Sequence, residues 1–232
     1  MISINQPYFF ANIGYFSLME QSQIHVFYDD VNMRKKSWIS RNKFTKDETL
    51  YSLKIVNLSQ NRKISEHKII DPIKTLNDII HLLEKNRLEH INEAVQLLSE
   101  CKNNLPSEIT VSEFNILTTL EINNALGIKC KCVRSSLLEN TKMFTSDERL
   151  VKITQDLGGY GYLNLESGDK LYNKERFNRE GIKLYLNNTQ NLKQVLKAGE
   201  FYKSILFLIS RYGLDRVKSI ISNYASFSEV VS

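Results

Sequence analysis

Two adjacent carboxylates, Asp29 and Asp30, stand just ahead of a run of cations formed by Arg34, Lys35, Lys36, Arg41, Lys43 and Lys46. A carboxylate held where a proton or cation will sit can bind a divalent metal, orient a sugar hydroxyl or act as a general base. The same residue type also caps turns and pairs with neighbouring cations. Adjacent residues of a strand point to opposite faces, so only one of the two can face a given pocket unless the chain has turned. Asp30, beside the loop, is the functional candidate of the pair. The cations that follow supply charge for phosphate oxygens, and arginine adds a bidentate fork. Trp38 punctuates the run and can stack on a base or sugar face, while Asn42 follows Arg41. A charge run is often only a solvated face. This one follows two aspartates at a strand end, and the convergence points to phosphate or nucleotide binding.

Other chemistries find less support. His25, His67, His81 and His90 have no ligand-type spacing to Cys, Asp or Glu, and no Ser/His/Asp order stands out. Cys101, Cys130 and Cys132 are odd in number and include a C-x-C pair, which argues against a zinc site and against a disulfide framework. Reduced, partly buried thiols are expected instead. Phosphate-loop and G-x-G-x-x-G motifs are missing, and Gly158-Gly159 reads as a helix end. No metal is expected, and no cofactor is identified.

The elements that must carry these residues alternate. Ile2 to Asn5 reads as a strand ended by Pro7, a short helix follows over Ile13 to Met19, and Ile24 to Tyr28 reads as a buried strand. This places Asp29 and Asp30 at a carboxyl strand end, where α/β sheets bind ligands. "WISRNKF" and "LYSLKIVNL" suggest two strands, antiparallel through a turn near Lys46-Asp47, and a further strand is expected around Ile64 to Ile70. Beyond Asp71-Pro72 the period becomes helical: Ile73, Leu76, Ile80 and Leu83 share one face, and so do Ile91, Ala94, Leu98 and Cys101. Thr110 to Glu113 is a capping-box pattern opening a helix that Gly127 ends.

Alternation then returns. Ile128 to Val133 reads as a strand and Ser135-Ser136 as a turn. Thr145 to Glu148 forms a second capping-box pattern, opening a helix that Gly158-Gly159 ends. A strand from Tyr160 to Leu163, a turn at Ser167-Gly168, a short helix from Asn173 to Gly181 and a strand from Ile182 to Leu186 follow. Helices around Phe201 to Arg211 and Leu214 to Tyr224 close the chain. The pattern predicts an α/β fold, a mainly parallel sheet flanked by helices with a helical insertion at about residues 73–126. An α+β arrangement is the alternative, with residues 38–70 as a separate antiparallel layer.

The chain's 232 residues, 42% apolar and 25% charged, describe an ordinary globular protein rather than a disordered one. Its opening residues lack a signal peptide's basic and apolar regions, and no apolar run reaches membrane-spanning length. A cytoplasmic location is expected. The net charge of +5 and pI near 8.9 suit a phosphate-bearing partner without requiring one.

"QPYFFANIGYF" and "HVFYDDVNMRKKSWISRNKF" resemble the signature of the WbqC-like family, a Q-P-x-Y-L-P-W-x-G-Y-F pattern followed by D-D-V-x-F and an R-N-R-I-type segment. "TSDERLVKITQDLGGYGYLNLESGDKLYNKERFNREGIKLYL" is similar to the family's later S-E-R-L to F-x-x-x-G-I stretch. Gln6, Pro7, Phe9, Gly14, Tyr15 and Phe16 match the first block. Asp29, Asp30, Val31, Ser37, Arg41 and Asn42 match the second, and Glu148, Arg149, Leu150, Gly158, Tyr162, Leu163 and Gly181 the third. The chain departs at three places. Ala11-Asn12 replaces the usual Pro-Trp, residues 164–168 replace a more glycine-rich loop, and "KAGEFYKSILFL" lacks a histidine common in that region.

The resemblance implies a single WbqC-like domain over residues 1–232 and a bacterial protein of O-antigen or lipopolysaccharide biosynthesis. It further implies a transferase that moves an acyl or aminoacyl group, glycyl among them, onto a nucleotide-linked or lipid-linked amino sugar. On that reading Arg41, Lys36 and Asn42 hold phosphate, Gln6 and Tyr15 orient the sugar or acyl group, and Asp30, with Asp29 beside it, takes the proton of the attacking amine. Pro7, Gly14, Ser37, Trp38, Glu148 and Arg149 complete the expected substrate-binding set. The donor is an activated acyl or aminoacyl compound, aminoacyl-tRNA included. The alternative is a non-catalytic module that binds a nucleotide sugar, an anionic saccharide or RNA.

Overall fold

The computed structural model describes residues 1–166 and 172–230. Its centre is a sheet of strands β1 (Ile2–Asn5), β2 (Ile24–Phe27), β5 (Lys131–Arg134), β6 (Gly161–Leu165), β7 (Lys183–Asn188) and β8 (Ser226–Glu229), in the order β5-β2-β1-β6-β7-β8. All neighbours run parallel except β8, which pairs antiparallel with β7. The fold is α/β, as the alternation predicts. Strands β3 (Arg41–Lys43) and β4 (Leu50–Ser52) form a separate antiparallel pair around the expected turn, each shorter than the sequence suggests.

Alternation along β1 decides which side each helix takes. Ile2 and Ile4 join Val26, Tyr162 and Leu184 beneath α5 (Ser146–Asp156) and α6 (Lys174–Arg179), packing with Leu150, Ile153 and Phe177. Met1 and Leu163 meet Leu18 of α1 (Ile13–Glu20) on the opposite face. Every residue from Ile13 to Met19 is buried, because α1 is covered on its outer side too. That cover includes α9 (Leu214–Tyr224).

The helical stretch in the middle of the chain comprises α2 (Pro72–Lys85), α3 (Ile91–Asn103) and α4 (Val111–Leu126). Thr110 and Glu113 form the reciprocal capping box at the start of α4, and Gly127 adopts the left-handed conformation at its end with φ 72°. These helices, with α8 (Ile205–Tyr212), pack into the larger core together with Phe9, Phe10 and Phe44.

Several local expectations need correction. Residues 64–66 form a 3-10 turn, and Ile69 makes only an isolated bridge, so no strand runs from Ile64 to Ile70. The His67 ring dictates this geometry. One ring nitrogen meets Lys63 O at 2.8 Å and the other accepts Ser59 N–H at 3.1 Å, curling the chain. Thr145 precedes α5 but its side chain makes no capping bond. The helix expected from Phe201 begins at Ile205, after a 3-10 turn at Glu200–Tyr202. Ser135 opens a 3-10 turn, and the expected turn at Ser167-Gly168 lies outside the described residues. Strand β8 and the short helix α7 (Gln190–Val195) were not expected.

Candidate functional site

Strand β1 lies between β2 and β6, and the helices that follow β1 and β6, α1 and α6, pack on opposite faces. Beyond the carboxyl ends of β1 and β6 this divergence opens a crevice, the place where open α/β sheets take ligands. Asn5 and Asn164 join across it, with Nδ2 of the first donating to Oδ1 of the second at 3.2 Å.

A cleft of about 420 Å³ occupies this position. Ala11, Asn12 and Gly14 contribute the start of α1, and Leu165 and Glu166 the end of β6. Tyr8, Trp38, Phe201 and Tyr202 supply aromatic wall, while Asn42, Thr189 and Lys193 add polar groups. Asn12 caps α1 by accepting Tyr15 N–H at 3.3 Å, which fixes the first turn at the cleft. Gly14 lets Phe201 approach: a Cβ built there would lie 2.9 Å from Phe201 Cζ.

The loop between β1 and α1 is buried and needs partners for its backbone. Asn42 donates from Nδ2 to Phe9 O at 3.0 Å and Phe10 O at 2.7 Å. Asn115 likewise donates to Pro7 O and Ile39 O, both at 2.9 Å. Phe10 is thereby held at a φ of 45°, a left-handed conformation that a bulky residue rarely adopts. On the facing wall, Glu200 steadies the turn carrying Phe201 and Tyr202 by pairing with Arg211 at 2.8 Å and accepting Tyr212 O–H at 2.6 Å.

Among the described residues, Glu166 is the carboxylate that lines the cleft. Its Oε2 accepts Thr189 O–H at 2.6 Å and faces Lys193 Nζ at 3.4 Å. The Thr189 bond, helped by Lys193, outweighs burial and holds its pKa below the ordinary glutamate range, so the group is ionised at neutral pH. Its side chain remains 53% exposed. Lys193 Nζ also lies 5.2 Å from the Phe201 ring centre, within cation–π reach.

The two aspartates are placed elsewhere, at the ends of β2 and β5. Asp29 is fully buried and accepts Arg134 Nε at 2.8 Å, Ser136 N–H at 3.0 Å and Ser136 O–H at 2.9 Å. Asp30 accepts Arg149 Nη2 at 2.6 Å and the Ser135 hydroxyl at 2.5 Å. Burial would raise its pKa, but the bonds from Arg149 and Ser135 prevail and lower it. Arg149 also stacks over Tyr28, 5.0 Å from the ring centre.

Of the residues the sequence singles out, the cleft brings together Gly14, Trp38 and Asn42. Tyr15 is buried beneath it, donating to Gln6 O at 3.1 Å and meeting His25 at 2.9 Å, so it braces Gln6 from below. Pro7 is buried, Arg41 is half-buried, and Ser37 donates to Arg34 O at 2.7 Å. Lys36 is exposed beside Arg34 and Lys35, and no ion pair holds these three among the described residues. Glu148 lies apart, 3.9 Å from Arg176. Sequence reasoning missed Glu166, Thr189, Lys193, Phe201 and Tyr202. Glu166 carried a usable signal, since it directly follows the carboxyl end of a strand, the argument that singled out Asp29 and Asp30.

Among the described residues no three His, Cys, Asp or Glu side chains are grouped to hold a metal ion, and no helix is long and apolar enough to cross a membrane. Comparison with protein families matches the WbqC-like protein family over residues 6–218. No curated protein and no solved structure matches the chain. Residues from the three stretches expected to depart from the family pattern, Ala11 and Asn12, Leu165 and Glu166, and Phe201 and Tyr202, line the cleft.

Proposed function

This chain belongs to the WbqC-like protein family, and from that premise we propose a transferase of bacterial surface-polysaccharide biosynthesis that passes an acyl or aminoacyl group to an amino sugar. The observation that carries the reading is the cleft at the β1/β6 crevice, with aromatic walls and the ionised carboxylate of Glu166. Aromatic faces suit the apolar faces of a pyranose ring, and the few polar groups fix its orientation. A carboxylate at 53% exposure remains reachable by an incoming amine.

In this mechanism Glu166 receives the amine of the acceptor, and Thr189 and Lys193 hold the carboxylate in place. The nitrogen bonds to the acyl carbon, the bond from that carbon to the donor's leaving group breaks, and the proton shed by nitrogen passes to Glu166. General-base help of this kind contributes about 10²- to 10⁴-fold. Asp30 becomes a structural anion on this account, because Arg149 and Ser135 already occupy its oxygens. The exposed cations Arg34, Lys35 and Lys36, close in sequence to Trp38 and without an ion pair among the described residues, suit the phosphates of a nucleotide-linked or lipid-linked sugar.

Incubation with nucleotide-linked amino sugars and a panel of acyl and aminoacyl donors, aminoacyl-tRNA included, tests the proposal by mass spectrometry. A sugar heavier by the acyl group is expected. Binding of the sugar with no modified product for any donor would overturn it in favour of a binding module.

A further inference from the structure

Cys132 stands in β5, an edge strand, and Cys130 directly precedes that strand; residues two apart in an extended chain share a face. Their Sγ atoms lie 3.8 Å apart, both side chains are only partly buried, and both are reduced. Asn123 Nδ2 approaches Cys130 Sγ at 3.7 Å. We propose that Cys130 and Cys132 are a redox modification site, a dithiol that hydroperoxides convert to an intrachain disulfide.

The geometry favours this pair over Cys101, which lies on the buried face of α3 in the core. A disulfide needs Cα atoms about 4.4–6.8 Å apart, and two steps of an extended strand span about 6.6 Å, the upper end of that range. Closure also needs the Cβ atoms about 3.5–4.5 Å apart, so it requires a contraction of the backbone. Cys130 can supply it, because it precedes Lys131, where the ladder with β2 begins. The roles of the two sulfurs differ as well. The S–H of Cys132 stabilises the Cys130 thiolate and lowers its pKa, while the same contact and burial raise that of Cys132. Asn123 Nδ2, 3.7 Å from Cys130 Sγ, offers a second donor to that sulfur alone, which makes Cys130 the attacking sulfur and Cys132 the resolving one.

The chemistry balances. Cys130 thiolate attacks the peroxide and takes one oxygen to become a sulfenic acid, while the O–O bond breaks and the other oxygen leaves, after protonation, as water from hydrogen peroxide or as an alcohol from an organic hydroperoxide. Cys132 sulfur then bonds to Cys130 sulfur, and the second oxygen departs as water with the Cys132 proton. Peroxide is reduced and the dithiol oxidised. Cys132 pairs in register with His25, whose ring meets Ser3 Oγ at 2.8 Å and Tyr15 Oη at 2.9 Å. Oxidation thus acts one strand away from the buried chain that supports Gln6.

The full-length protein treated with hydrogen peroxide, then alkylated and digested, provides the test. The expected result is a peptide containing Cys130 and Cys132 that is lighter by two hydrogens and refuses alkylation until a reductant is added, with Cys101 unchanged. In Cys132→Ser the expected product is a Cys130 sulfenic acid that dimedone traps; Cys130→Ser should give neither product. Persistence of two free thiols after peroxide would overturn the proposal, as would disulfides formed only between chains or first oxidation at Cys101.

Discussion

Two carboxylate clusters lie along the same edge of the sheet and differ in what their oxygens already do. At the β2 and β5 ends, Asp29 and Asp30 are shut in by Arg134, Arg149, Ser135 and Ser136. At the β1/β6 crevice, Glu166 has a hydroxyl and an ammonium for neighbours and faces an open cleft. Both groups have depressed pKa values in the cases of Asp30 and Glu166, so ionisation alone does not separate them. Access does. A carboxylate whose lone pairs are spent on arginine holds strands together, whereas one reachable from a cleft can meet a substrate.

The largest expected effect falls on the closed cluster. Asp29→Ala removes the anion that joins β2 to β5 and leaves Arg134 and the Ser136 amide without their partner. A loss of about 3 kcal/mol in urea unfolding is expected, the low end for a broken buried pair because Arg134 is 32% exposed. A change below about 0.5 kcal/mol would mean the cluster is not structural.

Next in size is Asn42→Ala, which strips the partners from Phe9 O and Phe10 O. Unsatisfied buried acceptors cost about 1–3 kcal/mol, and the same change should loosen the cleft wall. Unfolding and ligand titration should therefore move together. Loss of stability with undiminished affinity would uncouple the loop from the cleft.

Acid titration sharpens the contrast further. The folded-state pKa of Asp30 lies below its unfolded value, so its stabilisation is fully present above about pH 4 and disappears as pH falls through the lowered value. Denaturation curves from neutral to strongly acidic pH should show Asp30→Asn flattening that acid limb. An unchanged limb would contradict the assigned pairing with Arg149.

The smallest effect on stability belongs to Trp38→Ala. Trp38 is 41% exposed, and unfolding should shift by no more than about 0.5 kcal/mol. Affinity for an amino-sugar nucleotide should nonetheless fall by about 0.5–1.5 kcal/mol if the ring forms a wall. Equal affinity would remove Trp38 from the site.

Local signals made much of the frame legible from residues alone. Alternation located the parallel strands, and Thr110, Glu113 and Gly127 fixed both ends of α4. The failures trace to interactions distant in sequence. His67 curls residues 59–67 through its ring, which no strand propensity registers. Strand β8 exists because β7 offers it an edge, with Asn187 opposite Phe227. The same cause hid half of the cleft. Phe201 joins it by packing against Gly14 across the core, and Lys193 by reaching Glu166 from α7. Asp29 and Asp30 were legible as a carboxylate pair at a strand end, but the arginines that occupy them come from residues 134 and 149.

The distinction between closed and open carboxylates is tested most directly by comparing Glu166→Gln with Asp30→Asn, both as folded proteins, in the mass-spectrometric transfer assay with an amino-sugar nucleotide and its productive donor. The account predicts that Glu166→Gln lowers kcat by about 10²- to 10⁴-fold with little change in stability, while folded Asp30→Asn keeps kcat within a few-fold. Full turnover by Glu166→Gln together with collapse of turnover in folded Asp30→Asn would contradict it and return the proton-accepting role to Asp30.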